Sequence, residues 1–350
     1  MAVGQSALEG VGRLSGFWQD RRVLVTGATG LVGSWLAKAL VEQGTYLVAL
    51  VRDWDPQSEL VRSGAIHETH VVNGMLEDYA AIERAINEHE IETVFHLGAQ
   101  TIVGTALRSP FPTFEANIRG TYNMLEACRV HSDLVKRIVI ASSDKAYGDT
   151  DLLPYTEEMP PLGRHPYDVS KSCADLLARA YHETYKLPVA VTRCGNIYGG
   201  GDLNWSRIVP GTIRSLHLGE RPIIRSDGKF VRDYLYVQDA VQAYLRTAEA
   251  LDRPEIQGQA FNFAPDQPRT VIEVVEALCR LKGREDLPPV IQNLVKAEIR
   301  DQYLSSEKAR RLLGWSAAYS FEQGLSETLE WYQRFLNPHP RLSTRPDENP

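Results

Sequence analysis

Tyr167 and Lys171, four residues apart, are the first pair in this chain whose types and spacing suggest chemistry. On a helix the spacing puts both side chains on one face, where an ammonium beside a phenol favours phenolate. Tyr167 is thus a candidate general base toward an alcohol, aided by Lys171. An exposed Tyr/Lys pair is a common accident, so its position matters more than its pattern. One segment earlier, Ile140-Ala141-Ser142-Ser143-Asp144-Lys145 reads as an apolar strand entering a polar turn, where open α/β sheets place their reactive groups. Ser143, Asp144 and Lys145 bring a hydroxyl, a carboxyl and an amine to that turn. The plainer reading of Asp144 is an aspartate bonding local backbone N–H groups.

A second constellation, Thr26-Gly27-Ala28-Thr29-Gly30-Leu31-Val32-Gly33, follows a β-branched run and precedes the apolar-periodic stretch Ser34 to Gln43. Glycines there permit a tight turn and let backbone N–H groups approach a pyrophosphate at a helix start. The order strand, glycines, helix makes the loop a dinucleotide site. At the end of the second strand the usual carboxylate position holds Val51, followed by Arg52, a cation able to pair with a 2′-phosphate. That arrangement leans slightly to NADP and leaves NAD open.

The elements that must position these groups alternate. Tyr46 to Val51, Thr93 to Leu97, Arg137 to Ala141 and Val189 to Arg193 read as strands. Tyr79 to His89, Thr113 to His131 and Asp168 to Tyr185 read as helices between them, which predicts a parallel sheet covered on both faces. Beyond Gly199 the alternation weakens. Helices are expected over Arg207 to Leu218, Val237 to Ala250, Val271 to Lys282, Ser306 to Leu313 and Phe321 to Leu336, with a short strand at Phe261 to Ala264 and a hairpin around Asp227-Gly228. The predicted organisation is a dinucleotide-binding domain over 18–198, to which about 237–264 returns, a lobe over 199–336 that mainly binds substrate, and a disordered tail over 337–350.

Composition narrows the partners. With 43% hydrophobic and 24% charged residues the chain can build a large core, and its net charge of −7 offers no footprint for nucleic acid or an anionic membrane. Cys128, Cys173, Cys194 and Cys279 stand far apart in no metal-binding spacing, and Met1 to Asp20 lacks a signal-peptide layout. A cytoplasmic, metal-free protein acting on a small molecule is the expectation. His96, at the end of a buried strand, reads as a packing residue.

With the glycine loop, Ser143 and the Tyr167/Lys171 pair in this order, the chain resembles the extended short-chain dehydrogenase/reductase family, in its sugar-nucleotide epimerase and dehydratase branch, over about residues 17–336. Phe95-His96-Leu97-Gly98-Ala99-Gln100, Asn117-Ile118-Arg119-Gly120-Thr121, Arg193-Cys194-Gly195-Asn196-Ile197-Tyr198-Gly199 and Arg232-Asp233-Tyr234-Leu235-Tyr236-Val237 carry the likeness further. Ser143-Asp144-Lys145 is similar to the Ser/Thr-Asp-Glu/Lys run of nucleotide-sugar 4,6-dehydratases, its lysine to the CDP-glucose 4,6-dehydratases. The chain departs from the latter at Val32, where they carry lysine, and at Arg232-Asp233-Tyr234, where they carry Arg-Pro-Trp.

The resemblance implies an α/β fold, a Rossmann doubly wound parallel sheet with a smaller C-terminal substrate-binding lobe, and a redox-neutral reaction through tightly bound, recycled NAD(P). It implies catalytic roles for Ser143, Asp144, Lys145, Tyr167 and Lys171. Cofactor contacts are implied for Gly27, Thr29, Gly30, Leu31, Val32, Gly33, Arg52, Leu76, Leu97 and Ala99 besides Tyr167 and Lys171, and substrate contacts for Gln100, Asn117, Asn196, Arg207, Arg232 and Arg300. In the family the helices matching Thr113 to His131 and Asp168 to Tyr185 form a four-helix homodimer interface. A 4-epimerase is the neighbouring reading, which Asp144 opposes. A non-catalytic dinucleotide sensor or scaffold is a third, which would not need the proton-transfer pair.

Overall fold

Arg22–Thr26, buried from Val23 onward, forms β1 near the middle of a seven-stranded sheet. The computed structural model describes residues 16–294 and 299–337. Residues 1–15, which hold most of the segment read against a signal peptide, and 338–350 of the expected tail lie outside the described residues.

After β1 come α1 (Leu31–Glu42), β2 (Tyr46–Val51), α2 (Glu59–Arg62), β3 (Thr69–Asn73), α3 (Tyr79–Glu88) and β4 (Thr93–His96). Next are α4 (Val103–Arg108), α5 (Pro110–Phe114), α6 (Gly120–Val130), β5 (Arg137–Ala141), α7 (Pro166–Tyr185), β6 (Val189–Cys194) and β7 (Asn196–Tyr198). The remainder runs α8 (Ile208–His217), β8 (Ile223–Ile224), β9 (Val231–Arg232), β10 (Tyr234–Tyr236), α9 (Val237–Ala250), β11 (Ala260–Phe263) and β12 (Arg269–Thr270). It closes with α10 (Val271–Lys282), β13 (Val290–Ile291), β14 (Asp301–Gln302), α11 (Glu307–Leu313) and α12 (Phe321–Leu336).

The large sheet is all parallel in the order β11-β6-β5-β4-β1-β2-β3. Successive strands add outward from β1 on one side and from β4 on the other, so the loops after β1 and β4 leave in opposite directions and open a crevice. One face is covered by α1, α9 and α11 over Val23, Val25, Phe95, Phe261 and Phe263. The other is covered by α3, α6 and α7 over Leu24, Val48, Val94, Ile138 and Val191. Strands buried on both faces read as the continuous apolar runs that mark them in the sequence.

β11 pairs with β6, so residues 260–263 belong to this sheet, and α9 packs on α1 and β6. The lobe beyond it rests on its own core, in which Val209, Ile213, Val274, Leu278, Trp331 and Tyr332 meet. Capping boxes at Thr270/Glu273 and Ser320/Gln323 start α10 and α12.

Two expectations are corrected. The helix expected over Thr113 to His131 is interrupted by a π-helical turn, Glu115–Arg119, between α5 and α6. The widened turn sends Asn117 Nδ2 to Ser170 Oγ, 2.9 Å away, and to the Gln100 carbonyl, 3.0 Å away. Around Asp227-Gly228 there is a tight turn but no hairpin. β8 pairs with β13 in parallel, while β9 pairs with β12 and β14.

Under the C-terminal ends of β5 and β6, Arg193 is buried against Asp175, with Nη2 and Nε donating to Oδ1 at 2.7 and 3.0 Å. Removing one partner of a buried ion pair leaves an unpaired charge. Asp175→Ala is expected to cost about 3–5 kcal/mol in urea unfolding; a loss below about 1 kcal/mol, the value of an exposed pair, would refute this account.

Candidate active site

The glycine loop meets the crevice by close backbone approach. Gly27 has φ +71° and a Cβ there would stand 2.8 Å from the Gly98 nitrogen; a Cβ on Gly33 would stand 2.1 Å from the Gly27 carbonyl oxygen. Only glycine keeps the loop this tight, and it places the start of α1 directly against the crevice. Gly30 caps α1 without a side-chain hydrogen bond, and the first turn holds no acidic residue. The free N–H groups and the helix dipole there favour an anion. His96 is buried between the hydroxyls of Thr26 and Thr121, at 3.1 and 3.2 Å, and burial lowers its pKa to about 3. It is a neutral part of the frame, as a packing residue would be.

From this loop a cleft of about 1360 Å³ runs past the ends of β4 and β5 to α8 and the lobe. Gly27, Thr29, Gly30, Leu31, Val32, Gly33, Arg52, Leu76, Leu97 and Ala99 line one end; Ser143, Asp144, Lys145, Tyr167 and Lys171 line the middle; Asn196, Arg207 and Arg232 line the far side. Three residues expected at the substrate do not line it. Asn117 instead clamps the backbone of Gln100, accepting from its N–H at 2.7 Å and donating to its carbonyl. Gln100 Oε1 is taken up by the Ile102 N–H at 2.6 Å. The Arg300 carbonyl accepts from Arg232 Nη1 at 2.7 Å, so that residue reaches the site through its backbone.

Pro166 begins α7, where a missing N–H costs nothing, and this puts Tyr167 in the first turn and Lys171 one turn on. Lys171 Nζ donates to the Ala141 carbonyl at 2.8 Å, and burial lowers its pKa to about 8. The expected lowering of the phenol is not seen. Burial, with the Asp144 charge added, pushes Tyr167 up to about 12, and Arg207 and the Ser143 hydroxyl only partly oppose it. Asp144 is 2% exposed, accepts from Ser143 Oγ at 2.9 Å, and is raised by burial against the opposing pull of Lys145, Ser143 and Arg232. A carboxyl held toward its neutral form can donate a proton.

Sequence reading passed over two residues. Asp53 lines the cleft and its carboxylate accepts from Arg52 Nε at 2.6 Å, two residues past Val51, the carboxylate position weighed for cofactor choice. Gln302 accepts from Lys145 Nζ at 3.0 Å, across 157 residues, from a strand too short for any periodic signal. Arg232, 3% exposed, donates to the carbonyls of Val231, Arg300 and Ile299; it is not a solvated surface cation. Among the described residues no group of three His, Cys, Asp or Glu could hold a metal ion.

A glycine loop at the switch point of a doubly wound sheet, with serine, tyrosine and lysine at the neighbouring strand end, defines an extended short-chain dehydrogenase/reductase. Residues 24–328 match the family described as GDP-mannose 4,6 dehydratase. A CDP-glucose 4,6-dehydratase of Salmonella typhimurium is 29% identical over 91% of this chain and 92% of its own. A dTDP-glucose 4,6-dehydratase of Xanthomonas campestris pv. campestris is 31% identical over 88% and 92%. Among solved structures, dTDP-glucose 4,6-dehydratase from Bacillus anthracis in complex with NAD has a TM-score of 0.79 at 27% identity, covering 90% of this chain and 97% of the other. UDP-glucose 4-epimerase from Thermotoga maritima with UDP-glucose has a TM-score of 0.81 at 28% identity, covering 90% and 99%. This chain belongs to the GDP-mannose 4,6 dehydratase family and is an enzyme of the nucleotide-sugar 4,6-dehydratase class.

Asp233, next to Arg232, is buried; Oδ2 accepts from the Leu304 N–H at 2.7 Å while Oδ1 has no hydrogen-bond partner among the described residues, and burial raises its pKa to about 7. A raised carboxyl binds its proton more tightly folded than unfolded, so its contribution falls as pH climbs from the ordinary carboxyl range to about 7. Asp233→Asn keeps an acceptor for Leu304 and removes this loss. Its melting temperature relative to wild type is expected to rise between about pH 5 and about pH 8; a difference constant with pH would show that Asp233 is already ionised without penalty.

Proposed function

We propose that this enzyme removes water from a nucleotide-diphosphate hexose, with CDP-glucose as the favoured substrate, to give the 4-keto-6-deoxy sugar. The observation that carries it is Asp144, a buried carboxyl raised toward its neutral form in the same cleft wall as Ser143, Lys145 and Tyr167. A 4-epimerase has no leaving hydroxyl to protonate and no use for such an acid. Lys145 beside it is the feature that favours the cytidine diphosphate sugar.

The cradle of Gly27, Gly30 and Gly33, open to the N–H groups of α1, suits the pyrophosphate of NAD(P). When bound, the nicotinamide oxidises the sugar at C4 and later reduces it at C6, ending as it began. Tyr167 Oη, in its phenolate form, takes the proton of the 4-hydroxyl, with Ser143 bonding the same oxygen and the Lys171 ammonium supplying the positive charge that this form needs against the burial that disfavours it. The 4-ketone acidifies C5–H. Lys145 Nζ, unprotonated, takes that proton; the C5–H electron pair moves toward the C4 carbonyl, then expels the 6-hydroxyl, which leaves as water with the proton of Asp144, and Lys145 gives a proton back to C5 when C6 is reduced. Asn196, Arg207 and Arg232 face the nucleotide diphosphate. Gln100, Asn117 and Arg300 act one step removed: Asn117 fixes the loop carrying Gln100, and the Arg300 carbonyl aims Arg232.

The lean to NADP rests on Val51 at the usual carboxylate position and on Arg52 as a cation able to pair with a 2′-phosphate. Its pairing with Asp53, together with the NAD in the Bacillus anthracis structure, supports NAD. We place the enzyme in the cytoplasm on its four free cysteines, and read it as a homodimer in which Tyr122 on α6 and Leu176 and Tyr185 on α7, apolar and exposed, meet a second copy.

Purified protein incubated with CDP-, dTDP-, GDP- and UDP-hexoses is expected to release water and form an alkali-absorbing 4-keto product, without net cofactor reduction, fastest with CDP-glucose. Unchanged mass with inverted C4 would make it an epimerase. Asp144→Asn and Tyr167→Phe are each expected to slow turnover by about 10²–10⁴-fold; near-native rates in Asp144→Asn would return Asp144 to a local structural role. Asp53→Ala, which frees Arg52, is expected to shift the ratio of dissociation constants toward NADP, and an unmoved ratio would remove the pair from cofactor choice.

A further inference from the structure

The side chain of Gln302 has no part in the chemistry so far, yet it is the polar group that holds Lys145. It is fully buried on β14, and its Oε1 accepts from Lys145 Nζ at 3.0 Å. Lys145 is the donor in this hydrogen bond, so the carbonyl end of the amide faces it. The orientation of the amide is thereby determined. Nε2 then points inward, where no protein acceptor among the described residues meets it. A buried donor left unpaired destabilises a fold, and an apolar side chain of similar size would avoid that loss. What the amide contributes must lie at its acceptor end.

The strand behind it is firmly placed. Asp301 and Gln302 pair with Val231 and Arg232 of β9, Leu304 donates to Asp233, and the Tyr155 N–H donates to the Tyr303 carbonyl at 2.9 Å. Lys145, by contrast, leaves a short 3-10 turn, Asp144–Tyr147, after β5. A flexible four-carbon stem is therefore tethered at its tip to a strand of the lobe.

We propose that Gln302 is the positioning residue for Lys145, holding the amine at the cleft wall through a neutral acceptor. This rests on the reading of Lys145 as the base at C5. A base must be unprotonated, and a carboxylate at the same distance would stabilise the ammonium instead. An amide oxygen accepts one N–H from either form, and from the neutral amine it does so while leaving the nitrogen lone pair free for the sugar. The charged groups facing Lys145 from its surroundings are Asp144 on its own turn, Asp168 at the start of α7 with His165 beside it, and Arg232 of β9 beyond Asp144. Burial holds both carboxyls toward their neutral forms, so neither replaces the missing carboxylate.

The test uses the full chain with its cofactor and the hexose selected by the four-nucleotide assay, following kcat, KM and exchange of the C5 proton into D₂O. Gln302→Met removes the acceptor at constant size; kcat and C5 exchange are expected to fall together by about tenfold or more with KM within about threefold. Gln302→Glu is expected to move the acidic limb of kcat upward by about one pH unit or more, with rate recovered at higher pH. A purely structural glutamine would not shift that limb, and this variant decides the matter if Gln302→Met does not fold. Lys145→Met separates the two readings. If it retains C5 exchange, Lys145 is not the base and the proposal falls with it. If it loses exchange while both Gln302 variants keep native exchange and a native limb, the base stands and the positioning role is overturned.

Discussion

At the seam between β1 and β4 the chain sends its loops in opposite directions, and the two backbones come so near that a Cβ on Gly27 would strike Gly98. The rest of the molecule depends on that contact. It needs parallel strands in register, Thr26 opposite His96, and it needs the hydroxyl of Thr26 to accept from the Gly98 N–H at 2.9 Å and to meet the neutral ring of His96. Once the seam is closed, the start of α1 and the ends of β4 and β5 must face one crevice. Cofactor and chemistry share a wall because the sheet has a single reversal.

Desolvation governs that wall. Tyr167, Lys171 and Asp144 in the wall, and Asp233 next to Arg232, are all buried, and each is shifted toward its neutral form. At Tyr167 removal of solvent outweighs the opposing pull of Arg207 and the Ser143 hydroxyl. Burial at Asp144 suits the acid role proposed for it, since a carboxyl that keeps its proton can give it to a leaving hydroxyl. The same loss of solvent makes the fold intolerant of unpaired charge, and so Arg193 is matched with Asp175 beneath the strand ends.

The lobe is joined to the sheet by specific polar contacts as well as by apolar packing. Trp331 Nε1 donates to Glu59 at 2.7 Å, Trp35 Nε1 to the Gly200 carbonyl at 2.7 Å, and Lys145 to Gln302. Each spans more than a hundred residues of chain. They bring β9 and β14, with Arg232 and Gln302, against the turn after β5, and close a cleft to which neither part is sufficient alone.

Local patterns in the sequence carry whatever depends on neighbours along the chain. Alternating apolar runs and helical periodicity locate the strands and helices, with Val237–Ala250, Val271–Lys282 and Phe321–Leu336 matching to the residue, because burial of one face imposes its period on the residues themselves. The glycine loop and the Ser143, Tyr167 and Lys171 order are legible for the same reason: each requires a residue type at a short, constant offset. Tertiary structure alone decided which polar groups meet and what burial does to them. Asn117 faces a loop instead of the cleft because a π turn rotates it, Tyr167 rises instead of falling, and Gln302 reaches Lys145 from a two-residue strand. Such contacts have no period and no fixed spacing. They arise where separate elements are packed together and water is removed, which the order of residues does not by itself encode in any local form.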